Sequence, residues 1–164
     1  KSLFISRSFR HMARCLQDRK VALAAIQRDG LALASCSEAL KADRAVVLEA
    51  VQGNGLALEH ATEVLRRDRE VVMLAVTQNG QALRHAASKL QDDDKVAMAA
   101  VRNDGRALEH ASENIRARED VAFAAVMQEP LALEFVAEEL LSDHKLGLAE
   151  KAGFVARQRM MGRR

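Results

Sequence analysis

An all-α solenoid is the fold class this sequence predicts, and three observations predict it. The first is an internal repeat kept without insertion or deletion: Gly30, Gly55, Gly80 and Gly105 stand 25 residues apart and Pro130 takes the next place. A fixed period of this kind marks stacked supersecondary units. The second is composition. Of 164 residues 49% are apolar but only 3% aromatic, with five Phe, no Tyr or Trp and one Pro, which argues against a sandwich, a barrel or a base-stacking nucleic-acid reader. The third is punctuation within the first four units, where an Asp opens and a Gly closes a run dominated by Ala, Val and Leu.

The first element of each unit follows from its ends. Asp18, Asp43, Asp68 and Asp93 precede Val21, Val46, Val71 and Val96 by three residues, and Val121 continues the Val series. Asp at that place is an N-cap whose carboxylate accepts from the unpaired amides of the first turn. The wording Asp-x-x-Val-x-x-x-Ala-Val-x-x-x-Gly therefore predicts a helix of about 10 residues. Asp29, Asn54, Asn79 and Asp104 come just before the glycines, and the pairing predicts a left-handed stop at Gly, which would need positive φ. Pro130 cannot adopt positive φ, so the fifth unit is expected to bend differently.

The second element is read from Leu56-Ala57-Leu58-Glu59-His60-Ala61-Thr62-Glu63-Val64-Leu65. Leu58, Ala61 and Leu65 have the i, i+3, i+7 spacing of an amphipathic helix, so each unit is expected to be a helical hairpin. A buried strand over Val71–Val76 competes, because short apolar runs are ambiguous. The equivalent Val96-Ala97-Met98-Ala99-Ala100-Val101 and Val121-Ala122-Phe123-Ala124-Ala125-Val126 favour helix through Ala and Met.

Stacking follows from length. Isolated helices below roughly 12–15 residues are marginal in water, so one hairpin alone is expected to be unfolded and neighbours must cover one another. Ala25, Ala50, Ala75, Ala100 and Ala125 are expected to let backbones approach closely. Five units span residues 18–142. Residues 1–17 form a basic segment with a partial repeat, and 143–164 a degenerate repeat with a basic tail.

The stretch Asp-Arg-Glu-Val-Val-Met-Leu-Ala-Val-Thr-Gln-Asn-Gly-Gln-Ala-Leu at 68–83 resembles a family of short helical repeats classed as a domain of unknown function. The resemblance covers residues 18–142. It implies tandem arrangement, a binding scaffold, and a setting in unicellular eukaryotes, algae or secreted bacterial effectors. The chain departs from that wording at Arg118, at Pro130, and at His60, His85 and His110, where the family often carries an aromatic ring.

Few residues invite chemistry. His60, His85 and His110 recur at one position, but equivalent atoms one helix-packing distance apart, about 8–10 Å, cannot share a zinc ion that needs ligands at roughly 2.1 Å. They read as half-buried rings. Cys36 takes the slot of Ala61, Ala86 and Ala111, and Cys15 that of Leu40, so both read as core residues. Asp92-Asp93-Asp94 reads as a solvated junction around a cap, and Arg66, Arg67 and Arg69 as a solvated basic cluster. No catalytic, metal-ligating or cofactor-binding set is expected, and no enzyme.

Charge divides the chain. Residues 1–14 and 151–164 hold nine Lys and Arg and no acid, which leaves −7 on residues 15–150 from a total of +2. Arg7, Arg10, Arg14, Arg157, Arg159, Arg163 and Arg164 are the candidate partner-binding residues. The leading expectation is a non-catalytic scaffold or accessory subunit, bound to other proteins of a larger assembly. An organelle, chloroplast or mitochondrion, fits the Ser- and Arg-rich start, with the cytoplasm as alternative and photosynthetic, respiratory and ribosomal complexes left open. RNA phosphates or an anionic lipid surface are further partners for the tails. An RNA-binding assembly factor and a secreted effector module are the alternatives. No apolar run reaches the roughly 20 residues of a membrane-spanning helix.

Overall fold

The computed structural model describes residues 18–141 together with Gly147 and Gly153. Among the described residues there is no strand, and the five repeats appear as five stacked helical units.

Each unit opens with a ten-residue α-helix: Arg19–Arg28, Arg44–Gly53, Arg69–Gln78, Asp94–Asn103 and Glu119–Gln128. The Asp caps act as expected. Asp68 accepts from the amides of Glu70 and Val71 at 2.9 and 3.3 Å, and Asp18, Asp43 and Asp93 cap equivalently. Arg118 makes no side-chain cap. Each long helix packs on the next. From the second unit on it buries two adjacent pairs, as at Val71, Val72, Ala75 and Val76, all 0% exposed, while the first buries only Ala22 and Ile26. Ala50, Ala75, Ala100 and Ala125 are fully buried as expected, whereas Ala25 of the first unit is only partly so.

The second element differs from the expected continuous helix. Each unit continues as a six-residue 3₁₀ helix, Gly30–Ser35, Gly55–His60, Gly80–His85, Gly105–His110 and Pro130–Phe135. After an extended pair of residues comes a one-turn α-helix: Glu38–Lys41, Glu63–Arg66, Ser88–Gln91 and Glu113–Arg116. The unit is thus three short helices, not a hairpin of two. Burial explains the tighter winding. Gly55, Leu58 and Ala61 are buried at intervals of three, which is the 3₁₀ period. The extended residues are used as well. Thr62 N–H donates to Lys41 C=O at 3.2 Å, Ala87 to Arg66 at 3.0 Å, Ser112 to Gln91 at 3.1 Å and Ala137 to Arg116 at 3.1 Å. Each break supplies a backbone bond to a carbonyl at the end of the preceding unit, where helix termini have spare acceptors.

The glycines also act differently from the expectation. No described residue has positive φ, so Gly is not a left-handed stop. The preceding Asx is instead extended (Asn79 φ −149°, ψ 111°) and caps the 3₁₀ helix, accepting from Gln81 N at 3.0 Å. Gly is required by close approach. A Cβ on Gly80 would stand 2.5 Å from the Ala100 carbonyl oxygen and 3.0 Å from Asp104 Cβ, both in the next unit. The expected bend at Pro130 is accordingly absent: Glu129 keeps φ −142° and ψ 111°. Pro sits comfortably at the first helical position, where its missing N–H is not needed by the helix.

Side chains complete the stacking. Gly55 N–H donates to Gln78 Oε1 at 2.6 Å and Gly80 N–H to Asn103 Oδ1 at 2.7 Å. Asn103 Nδ2 in turn donates to Thr77 C=O at 2.9 Å. These two amides tie units 3 and 4 each to the one before it and satisfy the first donor of the 3₁₀ helices of units 2 and 3. Arginines tie the caps: Arg19 pairs with Asp43, Arg44 with Asp68 at 2.7 Å, and Arg69 with Asp93 at 3.1 Å. The guanidinium of Arg44 beside Asp68, and that of Arg69 beside Asp93, hold both carboxyls below the usual carboxylate range. The missing Asp at 118 is answered by a reciprocal change, since Asp94 stands where the series has Arg. Arg118 pairs with Asp94 at 2.6 Å, so the link survives with its polarity reversed.

Candidate functional site

Between the one-turn helices of units 2 and 3 lies an open groove of about 1070 Å³. It is lined by Ala86, Ala87 and Leu90 and by Arg66, Arg67, Arg69, Arg84, His85 and Lys89, together with Glu63 and Asp93. Arg67 is paired with Glu63 and Arg69 with Asp93. Arg66, Arg84 and Lys89 have no carboxylate partner among the described residues. The cluster read as solvated surface is therefore only partly so, because the Nε of Arg66 is buried without a hydrogen-bond partner. The corresponding Nε of Arg116 donates to the Phe135 carbonyl at 2.7 Å.

The histidines do line the stack as half-buried rings, and His85 and His110 each find a neighbour in another unit. Arg84 Nε donates to His85 Nε2 at 2.8 Å, while Glu59 Oε2 lies 3.9 Å from the same nitrogen. A ring that accepts at Nε2 is neutral. Burial first, then Arg84, holds His85 below its ordinary pKa, with Glu59 opposing and Arg66 and His110 adding to the decrease. His110 is also lowered, chiefly by burial, with Arg84 adding to it and Glu109 and Asp104 opposing. Its Nε2 lies 2.9 Å from Gln81 Oε1, and the Gln81 amide nitrogen is committed to Asp104 at 2.7 Å. His110 therefore donates. No group of three His, Cys, Asp or Glu among the described residues is placed to hold a metal ion.

A stability prediction follows. A folded-state histidine pKa below the unfolded value of about 6.5 means that the unfolded chain binds more protons near that pH, so stability falls as pH drops through 6.5. Replacing both rings by the residue at the same place in unit 5, as His85→Phe/His110→Phe, should flatten the loss of melting temperature between about pH 7.5 and 5.5. An unchanged slope would show that these rings titrate alike in both states. Asp43, Asp68 and Asp93, whose pKa values are lowered, lose their contribution only below about pH 4, so the two windows separate.

Cys36 is buried as expected, 5% exposed, its Sγ 3.6 Å from the Ala32 carbonyl, and burial pushes the thiol pKa up. Asp92 accepts from Ser112 Oγ and Asn114, Asp93 caps, and Asp94 pairs with Arg118, so the acidic triplet is committed to structure. Cys15 and all seven candidate partner-binding arginines, Arg7, Arg10, Arg14, Arg157, Arg159, Arg163 and Arg164, lie outside the described residues. Sequence reading missed Gln78 and Asn103, although an amide at that place in successive units was a usable signal.

Residues 18–66 and 68–116 each match the domain of unknown function DUF4116. The chain belongs to the DUF4116 family. Each match spans two of the 25-residue units, so a single DUF4116 domain corresponds to a pair of them. The fifth unit, with Arg118 and Pro130, lies beyond the matched residues yet repeats the long helix and the 3₁₀ helix. No curated protein and no solved structure matches the chain.

Proposed function

We propose that this DUF4116 protein is a non-catalytic scaffold whose stacked units present a surface to a protein partner within a larger assembly. One observation supports the reading above the others: the internal positions recur from unit to unit while the groove positions do not. Leu33, Leu58, Leu83 and Leu108 are all fully buried. By contrast, Arg84 corresponds to Ala34, Glu59, Glu109 and Glu134, and Lys89 to Ala39, Val64, Asn114 and Glu139. A frame held constant beneath a changing surface is how stacked-repeat proteins acquire binding specificity. The described residues carry fifteen Lys and Arg against 21 Asp and Glu, a net −6, so basic ground on them is local.

The test is purification of the tagged full chain from cells of its source, with mass spectrometry and light scattering. The expected result is a defined partner protein and a mass above that of the monomer. A monomer that carries nothing with it would overturn the reading.

A further inference from the structure

We propose that the groove between units 2 and 3 binds an acidic peptide segment of the partner, with Arg66, Arg84 and Lys89 receiving its carboxylates. This deepens the scaffold reading and rests on it. The repeat supplies its own comparison, because the same backbone is built four times along the stack. Where this groove has Arg66, Arg67, Arg84 and Lys89, the one before it has Lys41, Ala42, Glu59 and Val64. The one after has Gln91, Asp92, Glu109 and Asn114, and the last has Arg116, Ala117, Glu134 and Glu139. Cations needed to hold units together would recur. The place of Arg66 is basic at three of the four steps, whereas the places of Arg67, Arg84 and Lys89 carry a cation at this step alone.

Their bonding state supports a ligand. Where Arg116 commits its Nε to a backbone carbonyl, Arg66 does not, so its guanidinium is not tied within the stack. Arg84 and Lys89 are exposed. Planar guanidinium groups suit carboxylate recognition, often through two parallel hydrogen bonds. The volume of about 1070 Å³ lies at the top of the roughly 300–1,000 Å³ range of ligand pockets, which suits a short segment rather than one ion. A nucleic-acid strand fits less well. The chain has no Tyr or Trp on which bases would stack.

Fluorescein-labelled hexaglutamate is the probe, titrated against the full chain by polarisation at physiological ionic strength. The charge reversal Arg84→Glu/Lys89→Glu should weaken binding by at least about tenfold. The equal reversal Arg102→Glu/Arg106→Glu, at exposed residues of unit 4, should leave it within about twofold. Melting temperatures establish that both variants fold. Equal losses in the two variants, or none in either, overturn the proposal, as does tighter binding of an oligouridylate with the same dependence on Arg84 and Lys89. Co-purification keeps the two readings apart. A partner captured equally by wild type and by Arg84→Glu/Lys89→Glu removes the groove and leaves the scaffold, while a wild type that captures nothing removes the scaffold.

Discussion

Gly80→Ala should lower stability by about 2 kcal/mol or more, although it adds one methyl group to a residue with ordinary backbone angles. The added Cβ would lie 2.5 Å from the Ala100 carbonyl oxygen and 3.1 Å from the Asp104 backbone nitrogen. Both are backbone atoms of the next unit and neither can swing aside. Relief requires the units to part, which also threatens the bond from Gly80 N–H to Asn103. Gly53 is the matched control. It ends a long helix, is exposed, and an added Cβ would meet nothing nearer than Gly30 N at 3.7 Å. There Ala should stabilise by roughly 0.5–1 kcal/mol, the ordinary gain when Ala replaces Gly in a helix. Urea titration of both variants checks the pair. If Gly80→Ala matched wild type, close approach would not be why glycine recurs every 25 residues.

The same glycine shows where sequence reading reaches its limit. A left-handed stop and a close backbone approach both demand the absence of Cβ, and an Asx before the Gly serves either as a helix end or as the cap of a new turn. Only the next unit's position separates the two, and that is a tertiary fact. The long helices were legible because Asp68, Val71, Ala75 and Val76 carry cap and core in consecutive turns. The break after the 3₁₀ helix was half legible. Ser37, Thr62 and Ser112 stand at the N-cap of the one-turn helices, but an apolar period running through Ala61 and Leu65 masks them. Of the groove, the cluster at Arg66, Arg67 and Arg69 was visible in sequence. Its meeting with Arg84 and Lys89 was not, since it depends on which turn of one unit overlies which turn of the next.

Exchanging Asp94 and Arg118 tests whether those contacts are interchangeable between units. In the first three steps an Arg pairs with the capping Asp 24 residues later, and in the fourth the two types are swapped across the same interval. Asp94→Arg alone should cost about 1 kcal/mol, because it sets two guanidinium groups against each other and removes an acid from a helix N-terminus. Arg118→Asp alone should be near neutral: it restores a cap worth about 1 kcal/mol but faces Asp94 and Asp120. The double variant recreates the arrangement of Arg69 and Asp93. It should exceed wild-type stability by roughly 0.5–1 kcal/mol, mostly from the cap, since ion pairs this exposed contribute little. The diagnostic quantity is the coupling between the two changes, expected at about 1 kcal/mol or more in favour of the double variant. Simple additivity would mean that the two positions do not sense each other, and that the reciprocal charges at the last step of the stack do not act as a pair.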